Sequence, residues 1–177
     1  MIRHPRIVLT GFMSSGKSTV ARAIGELLSC EVIDLDEQVT VETGQTPKSI
    51  IETLGEAAFR DVESRVLRSV LTRGTTSVIA LGGGTWTLSI NRQLIANAKG
   101  CTFWLDAPFE LCWKRISAGG GERPLAASEV QAHWLYQQRQ QVYALADLRI
   151  GVTEQRSVEG IAKEICELSQ DSLGSLR

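Results

Sequence analysis

The sequence predicts an α/β domain, a parallel sheet flanked by helices, and three observations predict it. Short runs rich in Val, Ile and Leu alternate with stretches of helical period. The runs are apolar at consecutive positions, as buried parallel strands are, rather than apolar at every second one. A glycine-bounded turn, Gly11-Phe12-Met13-Ser14-Ser15-Gly16-Lys17-Ser18, joins the first such run to the first helical stretch.

The expected strands are Ile7–Thr10, Val32–Asp34, Ser77–Leu81, Cys101–Leu105 and Leu148–Val152. Between them, Val20, Ala23, Ile24, Leu27 and Leu28 recur at spacings of three and four, which puts them on one helix face. Phe59, Val62, Val66 and Val70 do the same, as do Val158, Ile161, Ala162, Ile165 and Leu168. Alternating strands and helices imply right-handed crossovers and a three-layer domain. The stretch from Glu37 to Glu56 reads as helix interrupted at Gly44 and Pro47. Gly119–Pro124, with three glycines and a proline, reads as a mobile loop, and the tail after Ser169 as frayed.

A length of 177 residues suits one compact domain, and an apolar share of 43% can bury a sizeable core. The net charge of −1 gives no global attraction to nucleic acid or to an anionic membrane, so neither is expected as a partner. Any anion site must be built locally. Cys30, Cys101, Cys112 and Cys166 form no CxxC pair and no zinc-ligand spacing; free thiols in a reducing compartment are expected. The run in MIRHPRIVLTGF is too short for a signal-peptide core, and no stretch reaches bilayer length. A soluble, cytoplasmic monomer is the expectation.

Gly11–Ser18 matches GxxxxGK[ST] in full, between a strand and an amphipathic helix. Gly11 and Gly16 permit the backbone angles that turn amides inward, toward the phosphates of a nucleotide such as ATP. Lys17 can reach the β- and γ-phosphates, and the Ser18 hydroxyl can ligate Mg²⁺. Thr19 starts the helix or bonds the α-phosphate, while Ser14, Ser15 and Gly16 offer loop amides. The motif alone does not choose among kinases, GTPases, motors and sensors. Small size weighs against motors, and the lack of an NKxD-like motif against GTPases.

Four further groups bear on chemistry. Asp34-Leu35-Asp36 ends a strand at the sheet edge where ligands bind in open α/β folds; one acid can hold Mg²⁺ through water and the other an acceptor hydroxyl, or the pair can simply start a helix. Arg60 and Glu63, three apart, can pair on a helix face, as a surface ion pair or within a site. Gly82-Gly83-Gly84 after a strand lets backbone approach a ligand closely, or forms a flexible loop. Arg115 and Arg123 bracket the glycine-rich loop, which as a lid could close over ATP; Arg139 lies in the helical Gln137–Gln141 stretch, where a solvated face is the plainer reading.

Together these motifs resemble the shikimate kinase family. GFMSSGKST, DLD, GEAAFRDVE, ALGGG, ERPL and Leu135-x-x-x-Arg139-x-x-x-Tyr143 follow in the family's order across about Ile7 to Leu168. The resemblance implies one P-loop kinase domain over residues 1–177, with a five-stranded parallel sheet in order 2-3-1-4-5, a substrate-binding segment at about 34–63 and a lid at about 116–127. It implies transfer of the ATP γ-phosphoryl group to the 3-hydroxyl of shikimate, a step toward chorismate and the aromatic amino acids. Asp34 and Ser18 would hold Mg²⁺, and Asp36 would bind ring hydroxyls as the candidate base. Arg60 and Arg139 would bind the substrate carboxylate, Gly82, Gly83 and Gly84 would line the pocket, and Lys17 and Arg123 would serve the chemical step. Arg115 would lie against adenine, with the loop from Thr153 to Ser157 opposite. Ile51 stands where the family often has an aromatic, and Thr85-Trp86 where small aliphatics are more usual.

Two rival readings follow. A small-molecule kinase for another polyhydroxylated acceptor, such as gluconate, has no need for two carboxylate-binding arginines beside a triple-glycine pocket. A nucleotide-binding sensor would be marked by loss of an acid or the lid arginine, and Asp34, Asp36 and Arg123 are present.

Overall fold

The computed structural model describes residues 6–73, 77–119 and 128–174. Five strands, β1 (Arg6–Thr10), β2 (Glu31–Asp34), β3 (Ser77–Ala80), β4 (Gly100–Asp106) and β5 (Leu148–Gly151), form one parallel sheet in the order β2-β3-β1-β4-β5. All five coincide with the expected strands to within a residue at each end, and the order is the one the resemblance implies. Ile7, Val8 and Leu9 in β1 and Val78 and Ile79 in β3 are buried on both faces, which is why these runs do not alternate.

Seven α-helices surround the sheet among the described residues: α1 (Lys17–Leu28), α2 (Leu35–Thr43), α3 (Pro47–Thr72), α4 (Ser89–Asn97), α5 (Phe109–Ala118), α6 (Glu129–Tyr143) and α7 (Val158–Gly174). A 3₁₀ turn, Thr85–Thr87, precedes α4. No helix among the described residues is long and apolar enough to cross a membrane.

Three local readings are corrected. In α1, Leu27 is exposed, and the buried face runs through Val20, Ala21, Ile24 and Gly25. A Cβ on Gly25 would strike the Val32 side chain, so the smallest residue sets how close α1 lies to β2. α7 continues to Gly174, because Ile161, Ala162 and Ile165 dock its first turns and each further residue then adds a hydrogen bond. Gly44, at φ 71°, ends α2, and Pro47 starts α3 in its first turn behind the Thr46 cap, as the interruption at those positions predicted. α3 itself is broken at Gly55, with φ 86° and ψ 165°, a break the helical period on either side conceals.

The connectivity positions the site. After β1 the chain crosses to β2 on one side of the sheet, and after β3 it crosses to β4 on the other. The carboxyl ends of neighbouring β1 and β3 therefore open a crevice, the usual ligand position in such sheets. The Gly11–Gly16 loop leaves β1 there, and the glycine run leaves β3 beside it, with Leu81 N–H donating to Leu9 O at 3.0 Å.

Candidate active site

The phosphate loop needs its glycines for different reasons. Gly11 has φ 140°, and a Cβ there would lie 2.6 Å from the Leu105 carbonyl oxygen. Gly16 has φ 104° and forms the N-cap of α1. Ser14, at φ 60°, also takes the left-handed conformation. Lys17 is buried and curls over its own loop, its Nζ donating to Gly11 O at 2.9 Å and to Phe12 O at 2.8 Å. Ser15 Oγ is buried with no hydrogen-bond partner among the described residues. An ammonium, a buried hydroxyl and a helix N-terminus thus converge on one loop, an arrangement for anions.

That loop forms the floor of a cleft of about 480 Å³ lined by residues 13–20, Asp34, Asp36, Arg115, Arg156, Val158 and Ile161. Arg115, from the last turn of α5, reaches back to donate to Ser14 O at 3.1 Å. Arg156 comes from the 153–157 loop, on the same cleft.

Asp34 does two things at once. One carboxylate oxygen caps α2, accepting from Asp36 N–H at 3.0 Å and from Glu37 N–H at 3.4 Å. The other accepts from the Ser18 hydroxyl. No group of three or more His, Cys, Asp or Glu side chains among the described residues could hold a metal. Two hard oxygen donors beside a phosphate loop nevertheless fit Mg²⁺, which takes few protein ligands and completes its shell with water and phosphate oxygens.

A second chamber, of about 380 Å³, adjoins the first and shares Met13, Asp36, Gly82, Gly83 and Arg115 with it. Its far wall carries Phe59, Arg60 and Glu63 from α3, Arg139 from α6, and Thr46, Pro47, Lys48 and Ile51 from the start of α3. Glu63 is fully buried; it accepts from Arg60 Nη1 at 2.8 Å and from Thr85 Oγ1 at 2.5 Å. Glu56 holds the other Arg60 nitrogen at 3.0 Å. Arg60 is therefore fixed in place, as part of a buried network rather than a surface ion pair. Arg139 is only 7% exposed, which excludes the solvated-face reading. Its Nη1 donates to Gly83 O at 3.0 Å, and the Tyr143 hydroxyl donates to the same oxygen at 2.5 Å. Burial pushes the Tyr143 phenol up to about 12, so it stays a neutral donor.

The glycine run makes this proximity possible. A Cβ on Gly82 would stand 2.6 Å from Glu63 Oε1, 2.9 Å from Asp36 Oδ1 and 3.0 Å from Thr85 Oγ1. Asp36 sits where the chambers meet. Withdrawal from water, and after it the negative charges of Glu63 and Asp34, raise its carboxyl to about 6, against the opposing pull of Lys17 and Arg60.

The structure brings together Ser14, Ser15, Gly16, Lys17, Ser18, Thr19, Asp34, Asp36, Arg60, Gly82, Gly83, Gly84, Arg115 and Arg139 around the two joined cavities. Arg123 and most of the expected lid lie outside the described residues, while Ile116–Ala118 belong to α5 rather than to a loop. Asp36 reaches the junction from the first turn of α2, not from an extended segment beyond β2. Trp86 is 4% exposed and points its Nε1 at Val142 O, 2.9 Å away, so it anchors α6 and leaves the chamber wall to Ile51. Sequence reasoning noted Thr85 only as a departure from the family, not as the partner that fixes Glu63, and missed Lys48 on the chamber wall. Each lies next to a residue it did single out or inside the segment it expected to bind substrate.

Comparisons with known proteins bear on the family and the fold. The family model described as shikimate kinase matches residues 13–170. The shikimate kinase of Lactococcus lactis is 39% identical over 163 residues, 91% of this chain and 96% of that protein. That of Persephonella marina is 37% identical over 160 residues, 90% of this chain and 95% of the other. Among solved structures, the Acinetobacter baumannii shikimate kinase in complex with shikimate superposes with a TM-score of 0.85 at 31% identity, covering 96% of this chain and 94% of that one. The family model covers most of the chain, from Met13 inside the phosphate loop to Gln170 inside α7, and this chain belongs to the shikimate kinase family.

Proposed function

We propose that this chain transfers the γ-phosphoryl group of ATP to the 3-hydroxyl of shikimate, releasing ADP and shikimate 3-phosphate. The observation that carries the reading is the junction at Asp36: a phosphate-binding cleft and an arginine-lined chamber open into one another around a single carboxylate. Phosphoryl transfer asks the protein for alignment and charge stabilisation more than for covalent participation. The loop amides and Lys17 hold the nucleotide phosphates at one end. Arg60 and Arg139 face the other, where their planar forks match an acceptor carboxylate. Asp36, between them, accepts a hydrogen bond from the attacking hydroxyl and takes its proton as the phosphorus–oxygen bond forms, while the bond from phosphorus to the ADP oxygen breaks. Ser18 and Asp34 would hold Mg²⁺, which would supply positive charge to offset that of the nucleotide phosphates. Arg123, from the expected lid, is the further cation for the transferred group. Mass analysis of the acceptor after incubation with Mg-ATP tests the reading: shikimate heavier by one phosphoryl group supports it, and unchanged shikimate with ATP consumed on another acceptor refutes the substrate assignment.

Arg139 offers the cleaner probe of the carboxylate end. Arg60→Ala would strand the buried charge of Glu63, at a cost of about 3–5 kcal/mol in stability, and so mix folding with binding. Arg139 is bonded to a backbone carbonyl instead. Loss of a charge-assisted hydrogen bond of about 1.5–3 kcal/mol predicts that Arg139→Ala raises the shikimate KM roughly 10- to 150-fold. The KM for ATP stays within about twofold in the same steady-state titrations. A selective loss of ATP binding instead would reverse the map of the two chambers.

A further inference from the structure

We infer that the turn Thr85–Thr87 is a bracket that sets the spacing between Arg60 and Arg139, with Thr85 and Trp86 as positioning residues for the acceptor carboxylate; the inference rests on the reading above. The consecutive residues Gly83, Gly84, Thr85 and Trp86 bond to or pack against both arginine-bearing helices. Gly83 O accepts from Arg139 Nη1 and from the Tyr143 hydroxyl, both on α6. Gly84 lies against α3, where a Cβ would strike the Arg60 guanidinium. The Thr85 hydroxyl donates to Glu63 Oε1 at 2.5 Å, and the other oxygen of that carboxylate accepts from Arg60. Trp86 Nε1 donates to Val142 O at 2.9 Å, in the last turn of α6 beyond Arg139.

The bracket is itself clamped from α4. Asn91 Nδ2 donates to Thr85 O at 2.9 Å, and Arg92 Nη1 donates to Trp86 O at 2.7 Å and to Thr87 O at 2.9 Å. Thr85, Trp86 and Asn91 are all buried, so the bonds through them are shielded from exchange with water. A carboxylate gripped by two separate arginines needs both forks held to within about 0.5 Å of the productive geometry. Arg60 and Arg139 come from different helices, and the turn bonds to both. Without the Thr85 hydroxyl, Glu63 keeps Arg60 but loses the bond that stops its carboxylate from turning. Without the indole N–H, the last turn of α6 loses its tie to the bracket.

The test is a set of shikimate and ATP titrations of Thr85→Val, Thr85→Ser and Trp86→Phe, and of Trp86→Phe in an Arg139→Ala background, with a thermal melt of each protein. Loss of one buried hydrogen bond behind each arginine predicts a shikimate KM raised about 3- to 10-fold by Thr85→Val and about 2- to 10-fold by Trp86→Phe. Thr85→Ser, which keeps the hydroxyl, restores the wild-type value. The loss is one of acceptor binding, so kcat and the ATP KM stay within about twofold. In the Arg139→Ala background Trp86→Phe has no further effect, because the group it positions is gone. Val142 O also accepts from Leu145 N–H at 3.1 Å, so Trp86→Phe strands no carbonyl and carries the test even where Thr85→Val fails to fold. Wild-type shikimate KM in Thr85→Val and Trp86→Phe, equal losses for ATP and shikimate, a Thr85→Ser protein no better than Thr85→Val, or a Trp86→Phe effect that survives removal of Arg139 would each overturn the inference and leave the proposed function standing. Absence of shikimate-dependent turnover in the wild type overturns both.

Discussion

Asp36→Asn is expected to lose about 10²- to 10⁴-fold in kcat and, at the same time, to unfold at a higher temperature than the wild type. The two effects share one cause. The Asp36 carboxyl is raised from its ordinary 3.8 to about 6 by withdrawal from water and by Glu63 and Asp34. In the unfolded chain it ionises near 3.8, so between the two values the unfolded state gives up a proton that the folded state retains. Its contribution to stability is therefore full below about pH 4 and is lost as pH rises through about 6. At pH 7.5 the ionised carboxylate costs the fold up to about 3 kcal/mol, the free-energy equivalent of two pKa units. Asparagine removes that cost. Thermal melts of both proteins should differ most above pH 7 and merge below pH 4, within the spread that two-state unfolding allows. Activity follows the opposite sign. Wild-type kcat/KM rises with pH through about 6 as Asp36 becomes able to accept a proton, and the residual activity of Asp36→Asn lacks that limb. An Asp36→Asn protein that is both active and less stable would remove Asp36 from the chemical role and from the strained position assigned to it.

Lys17→Ala is the second large effect. Its ammonium is held over the loop by Gly11 O and Phe12 O, close to where a γ-phosphate would lie between loop and Asp36. Charge developing on the transferred group is stabilised most by a donor already in place, and loss of one such donor costs about 10²–10³ in kcat. Acceptor affinity, read by equilibrium titration, should change little, because Lys17 does not line the second chamber. Lys17→Arg should not restore activity. A planar fork cannot take the position of a single ammonium curled beneath two carbonyls. Near-normal turnover in Lys17→Ala would contradict the whole arrangement.

The parts of this site that were legible in the sequence are those set by local chemistry. GxxxxGK[ST] encodes its own backbone angles, and Gly11, Gly16 and Lys17 stand where the motif requires. Consecutive apolar residues placed β1, β3 and β4 because strands buried on both faces carry no alternation to misread, while the edge strands β2 and β5, each with one buried residue, were found from shorter apolar runs. Convergence was less legible. Asp36, Glu63 and Gly82 meet only because β2 pairs with β3 and α3 lies across their ends, a register no short-range pattern encodes. α6 shows the difficulty most plainly. Hydropathy would bury Val130 and Trp134 and expose Arg139, yet the first two are 80% and 62% exposed and Arg139 is buried against Gly83. A functional cation turned inward breaks the period from which helix faces are read. The ordered motifs of the family resemblance supplied what the period could not, by pairing Arg139 with Arg60 before either was placed in space.

The most direct test of the central claim is ADP release by the purified protein with Mg-ATP, measured by a coupled assay with and without shikimate and beside quinate and gluconate. The account predicts release that depends on shikimate and saturates with it, and little with either alternative. Release driven by gluconate or quinate instead would keep the phosphate loop and the junction at Asp36 but contradict the assignment of the second chamber. ATP binding with no acceptor-dependent release would contradict the phosphotransferase itself.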